Sequence, residues 1–264
     1  MQSAARHIFR DQILKLHFLT AIFCGTFAAS AALAQAQPDG DRVAVEVSAG
    51  IGHRTSDRFL DTASAEAGLR FGALLGERFR LIGSAARGIT RLVEDRARDE
   101  GDDFSADYNI TAAWDIGGAH EVRLGYSYSR YEYRLGPAPA RAFVGESESV
   151  RLRYSYFAEW GQAGIGVTEF LGGPSNPAFS VGGEYRLNAP GRKTELYVTG
   201  GAGGFARSDD KGFSLGLRAK MPKGYNLYAS ASRNYFSSGA NNSSFSLTLV
   251  KSFGVNAGRI FRRH

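Results

Sequence analysis

The chain has 264 residues, 43% of them hydrophobic and 12% aromatic, with 33 glycines, one cysteine and a formal charge of +6. About +2 of that charge falls in the first 36 residues, and the mild basic excess that remains is too small to indicate nucleic-acid binding. The one cysteine, Cys24, lies near the N-terminus, so neither disulfides nor thiol chemistry can be invoked for the residues beyond it.

In chain order, Arg6, Arg10 and Lys15 make a basic n-region, Leu16 to Leu33 an apolar, alanine-rich core, and Ala34-Gln35-Ala36 a small-x-small cleavage site. Residues 1–36 are therefore read as a signal peptide cut after Ala36. Cys24 stands within the apolar core behind the bulky Phe23, which speaks against lipoprotein processing. About 228 residues remain, and none of their apolar stretches reaches the roughly 20 residues that a spanning helix requires.

What the remainder does show is a period of two. Residues 42–52 place Val43, Val45, Val47, Ala49 and Ile51 on one face, and 64–74 do the same with Ala65, Ala67, Leu69, Phe71 and Ala73. Further half-apolar strands are predicted over 78–88, 107–116, 121–133, 149–159, 164–171, 178–188, 194–206, 212–221, 225–236 and 244–253, giving about twelve. Short joints at 75–77, 117–120, 160–163, 189–193 and 222–224 alternate with generally longer connections at 53–63, 89–106, 134–148, 172–177, 207–211 and 237–243. Phe79, Trp114, Trp160, Tyr225 and Phe253 fall beside the short joints, and Tyr108, Phe179, Phe213, Tyr235 and Phe245 near the long ones, as two interfacial girdles would.

This pattern of leader, half-apolar strands, alternating short and long connections and paired aromatic bands resembles the bacterial outer-membrane β-barrel class. The resemblance covers nearly the whole chain after the leader, and implies an all-β, transmembrane, antiparallel up-and-down barrel of about twelve strands over 37–253. Lipid cannot hydrogen-bond an open edge, so the first and last strands are expected to pair. An even strand number puts both termini in the periplasm. The resemblance also implies folding by the barrel-assembly machinery, a setting of outer-membrane lipid, and a monomer. A soluble β-sandwich would alternate in the same way, but would not need the leader, the loop asymmetry and the two aromatic bands together. In the barrel class the last strand commonly ends the chain on an aromatic; here Phe253 is followed by a basic tail, 254–264, expected to be a solvated periplasmic end.

Alternation places Arg70, Arg80, Arg123, Arg151, Arg153, Arg186, Arg218 and Lys220 on the lumen wall, together with Glu46, Glu66 and Glu184. Such guanidinium groups would favour anionic solutes, acidic saccharides or an exported polysaccharide among them. The same charges could instead pair across strands and close the lumen, leaving a structural or interaction barrel. About twelve strands leave more interior than the eight whose side chains fill it, which tilts the expectation toward a passive channel. Barrels of this size in the resembling class also include lipid hydrolases, lipid A-modifying enzymes and autotransporter translocators. The lack of a passenger segment speaks against the last.

No catalysis and no cofactor are expected. After the leader only His53, His120 and His264 are available as bases; His53 is at the long-loop rim, and no His-x-Ser pattern occurs. The acidic run Glu94 to Asp103 lacks the spacing of a calcium loop, Gly200 to Gly204 has no helix after it to cradle a phosphate, and Pro137-Ala138-Pro139 reads as a stiff loop tip.

Overall fold

The computed structural model describes residues 42–56, 61–92, 102–135, 141–171, 177–188, 193–205, 210–236, 239 and 241–261. The leader with Cys24, the acidic run from Glu94 to Gly101, Pro137 to Pro139 and His264 lie outside the described residues.

Twelve strands succeed one another: β1 Val43–Ser56, β2 Thr62–Leu74, β3 Phe79–Leu92, β4 Asp102–Gly117, β5 His120–Leu135, β6 Arg141–Ala158, β7 Gly161–Leu171, β8 Ala178–Arg186, β9 Thr194–Phe205, β10 Asp210–Lys220, β11 Tyr225–Tyr235 and β12 Asn241–Phe253. Each pairs antiparallel with its neighbours in sequence, and β1 pairs with β12 from Val45↔Phe253 to Ser56↔Asn242. The cylinder is closed, so no row of unpaired backbone groups is left for lipid to meet. A single closed sheet also replaces the two packed sheets of a sandwich.

The outward positions carry the apolar side chains. Ile51, Ile110, Leu124, Leu152, Ile165, Val181 and Leu215 are all more than half exposed on the isolated barrel, which is stable only if lipid covers them. Aromatics flank this belt at both ends. Phe79 and Trp114 are register partners and Trp160 stacks on Tyr185 at 6.5 Å near the short turns, while Phe213 meets Tyr235 at 6.3 Å and Tyr108 meets Tyr128 at 6.1 Å near the long connections. No helix of the described residues is long and apolar enough to cross a membrane; the strands provide the belt.

Two expectations need correction. The connections predicted at Ile89–Ala106 and Arg134–Glu148 are half and mostly strand, respectively: β3 runs on to Leu92, β4 begins at Asp102, β5 reaches Leu135 and β6 begins at Arg141. Beyond the bilayer both faces meet water, so alternation fades there while the ladder hydrogen bonds continue, and period-two reading stops short. The second correction concerns the tail. After Phe253 the chain turns at Gly254 and forms a short helix, α1 Ala257–Phe261, with Ala257, Ile260 and Phe261 buried. It is not a solvated end over these residues.

The turn into β7 depends on Gly161, whose φ is +142° and where a Cβ would lie 1.9 Å from the Glu184 carbonyl oxygen. Gly161→Ala should therefore cost about 1–3 kcal/mol, measured as a lower urea midpoint for the barrel in detergent micelles. An unchanged midpoint would show that the turn relaxes. In the run Gly200 to Gly204 the reason for glycine is close approach: a Cβ at Gly203 would come within 2.7 Å of the Phe179 carbonyl oxygen. Strands β8 to β11 enclose a recess of about 460 Å³ beside it.

Candidate functional site in the barrel lumen

Register fixes the lumen wall. Glu46 opposes Arg70, Arg70 opposes Ser84, Arg80 opposes Ala113, Arg123 opposes Arg153, Gln162 opposes Glu184, Arg186 opposes Tyr197 and Arg218 opposes both Glu195 and Tyr228. By this alternation all eight basic positions and the three glutamates named from sequence lie on the inward face of their strands.

The inward charges are unevenly distributed along the barrel. Most of those among the described residues lie within six residues of the short-turn ends, whereas towards the long connections the same face carries mainly Ser, Thr, Asn and Gly. There the hydroxyls bond one another across strands: Ser230 to Ser246 at 2.8 Å, Ser232 to Ser244 at 2.6 Å, and Asn109 Nδ2 donates to Ser127 Oγ at 2.7 Å. Glu66, Asp103, Asp107 and Asp210 add carboxylates and Arg54 a guanidinium to this half, Asp107 accepting from Ser129 at 2.6 Å. Short side chains line much of this half, leaving a polar vestibule.

Three ion-pair groups occupy the short-turn half. The first centres on Arg80, 1% exposed, whose Nη2 donates to Asp115 at 2.9 Å and also to Glu121. Glu121 is fully buried and accepts from Arg123 as well. In the second, Arg70 Nη1 donates to Glu46 at 3.0 Å, Ser252 Oγ donates to the other oxygen of Glu46 at 2.9 Å, and the guanidinium lies 4.8 Å from the ring centre of Phe261. The third holds Arg218 against Glu195 at 3.2 Å and Glu184 at 3.9 Å, between the rings of Tyr197 and Tyr228; Lys220 reaches Glu195 at 4.0 Å. These paired groups satisfy buried charge rather than present it to a solute. Arg186 donates to the Glu159 carbonyl at 3.3 Å near the rim.

Arg151 and Arg153 are different. Among the described residues no carboxylate lies within ion-pair distance of either. Arg153 has Arg123 directly opposite, senses Arg151 two residues along β6, and has Glu121 as its nearby counter-charge, an anion already engaged by Arg80 and Arg123. Arg151 is exposed to the lumen. Like charges opposite one another weaken a sheet, so the fold carries this patch at a cost in stability. Room for it comes from Gly164, where a Cβ would lie 3.3 Å from Arg153 Nε.

Alternation finds these positions but cannot sort paired from unpaired arginines. It also passes over Glu121, which shares its face with Arg123, and over Ile260 and Phe261, which pack into the barrel mouth from beyond the last strand. His53 lies on the outer face of β1, and His120 bonds Tyr154 Oη at 2.6 Å at the short-turn end. No group of three or more metal-ligating side chains occurs among the described residues.

Solved structures of similar shape include two autotransporter domains and an outer membrane channel. The translocator domain of the autotransporter NalP from Neisseria meningitidis aligns with 89% of this chain and 97% of its own at a TM-score of 0.60 and 13% identity. An outer membrane channel from Pseudomonas putida F1 aligns with 83% of this chain and 97% of its own, at 0.54 and 15%. The β domain of the Bordetella autotransporter BrkA aligns with 80% and 99%, at 0.54 and 14%. The chain has the outer-membrane β-barrel fold. No family profile matches it and no curated protein does. At these identities the likeness concerns the barrel itself and not the chemistry of its lumen.

Proposed function

We propose that this barrel is a passive channel of the bacterial outer membrane, with both termini in the periplasm, that favours small anionic solutes. Acidic saccharides and exported polysaccharide are within the class. The carrying observation is the Arg123, Arg151 and Arg153 face, with no carboxylate of its own for Arg151 or Arg153 among the described residues, at the foot of a hydroxyl-lined vestibule. Guanidinium groups there offer fixed donors to carboxylate or phosphate oxygens, and the hydroxyl-rich wall above, which also carries a few carboxylates, leaves room for a hydrated solute to reach them. A mobile anion would pair transiently with this face and leave again, with no covalent step. The chain is expected to work as a monomer, placed in outer-membrane lipid by the barrel-assembly machinery and without catalysis.

The test is the reversal potential of single channels, made from protein purified from the outer membrane of an expressing bacterium, under a salt gradient. Anion selectivity should fall towards zero in Arg151→Ala/Arg153→Ala while the conductance persists. Selectivity unchanged by the double substitution would remove the arginine face from the reading. A second reading, a closed structural or interaction barrel, is favoured by the three ion-pair groups and by the helix in the short-turn mouth. Persistent silence from folded protein would favour it.

A further inference from the structure

We propose that the C-terminal segment is a detachable plug of the barrel mouth at the short-turn end. Its role in passage rests on the channel reading, but its seating and release do not.

The chain carries two glycines fitted to this helix. Gly254, φ +100°, turns the chain back after Phe253, and a Cβ there would lie 2.6 Å from the Val43 carbonyl oxygen. Gly72, on the inward face of β2, makes room for the helix: a Cβ would meet Ile260 Cγ2 at 2.4 Å and Phe261 Cε1 at 3.1 Å. Around it Ala44, Leu74 and Ile82 stand at inward positions where a wet lumen would favour polar side chains, and they form one apolar cluster with Ala257, Ile260 and Phe261. Arg80 Nη1 donates to the carbonyls of Arg259 at 3.1 Å and Ile260 at 3.4 Å, groups that the end of a helix leaves without partners. Arg259 in turn donates to the Glu77 carbonyl at 2.7 Å on the turn between β2 and β3.

The same contacts allow release. If the helix leaves, Arg80 keeps Asp115 and Glu121, Arg70 keeps Glu46, and the freed carbonyls meet water. None of these wall ion pairs is broken. What is lost is the burial of Ala257, Ile260 and Phe261, the Arg80 bonds to two helix carbonyls, the Arg259 bond to Glu77 and the Arg70 contact with Phe261, all held by a five-residue helix behind an exposed joint, with Val255 83% exposed.

Thiol labelling of folded protein tests seating without relying on conduction, because the chain's one cysteine precedes the barrel. Val255→Cys should react at once with a hydrophilic maleimide. Ile260→Cys should react slowly but to completion, at a rate that stops rising with reagent concentration, the mark of a site that must open first. Reaction of Ile260→Cys as fast as Val255→Cys, or none at all in the folded barrel, would overturn the plug. Conductance then reports its effect on passage: Ile260→Asp/Phe261→Asp should conduct several-fold more than the unaltered protein, and an oxidised Gly72→Cys/Ile260→Cys pair should hold the low state until reduced. Equal, non-zero conductance in all three would refute blockage, whereas silence in all three alongside slow, complete labelling would sink the channel reading and leave the plug standing.

Discussion

Glu121→Ala should destabilise the folded barrel by about 3–5 kcal/mol, among the largest effects expected of a single lumen substitution. Glu121 is fully buried and accepts from both Arg80 and Arg123. Its removal leaves Arg80, itself 1% exposed, with Asp115 as its remaining carboxylate and adds Arg123 to an already cationic wall. Losing one partner of a buried pair costs far more than the pair contributes, because the other charge stays desolvated. The measurement is urea unfolding in detergent micelles, with Arg130→Ala as the comparison. Arg130 pairs with Glu146 at 3.9 Å with both side chains more than half exposed, so its loss should cost at most about 1 kcal/mol. Equal losses for the two variants would show that water reaches the Arg80 group and screens it.

Leu152→Arg should cost about 2–4 kcal/mol when the protein is unfolded from lipid bilayers, the penalty of a cation on the lipid face near the midplane. Leu152 lies between Leu124 and Val167 on the outer face and is 52% exposed on the isolated barrel. Ser149→Arg, three residues away but on the inward face beside Ser127, should cost little and alter selectivity instead. The contrast tests which face meets lipid. Equal penalties would contradict the orientation of the wall, and no penalty at either site would mean that the apolar belt is not in a bilayer.

Much of this was legible in the residues. Alternation along Val43 to Ile51 or Phe245 to Leu249 reports a surface with lipid on one side and water on the other, because side chains of a strand alternate faces whatever the surroundings. The same parity identifies Arg70, Arg80, Arg151, Arg153 and Arg218 as inward. It fails where the surroundings cease to differ, as in Arg141 to Glu148, which continue β6 beyond the bilayer.

The lumen chemistry was less legible. Whether an inward arginine is satisfied or available depends on which side chains face it from strands far away in sequence. Arg80 and Glu121 meet across 41 residues, and Arg80 and the Ile260 carbonyl across 180. Nothing in the local pattern separates Arg80 from Arg153; both are basic residues at inward positions of half-apolar strands. The tail is a sharper case. Gly254 to His264 is basic, short and outside the strand pattern, and its Ile260 and Phe261 find an apolar partner only because β1, β2 and β3 bring Ala44, Leu74 and Ile82 to the same mouth.

By itself, then, the sequence determined the number of strands, their faces and the belt, since these come from local alternation against lipid and water. Tertiary structure alone decided which charges cancel, which pair of arginines has no carboxylate within ion-pair distance among the described residues, and that the last helix returns to the mouth of the barrel, because each depends on partners that closure of the cylinder brings together.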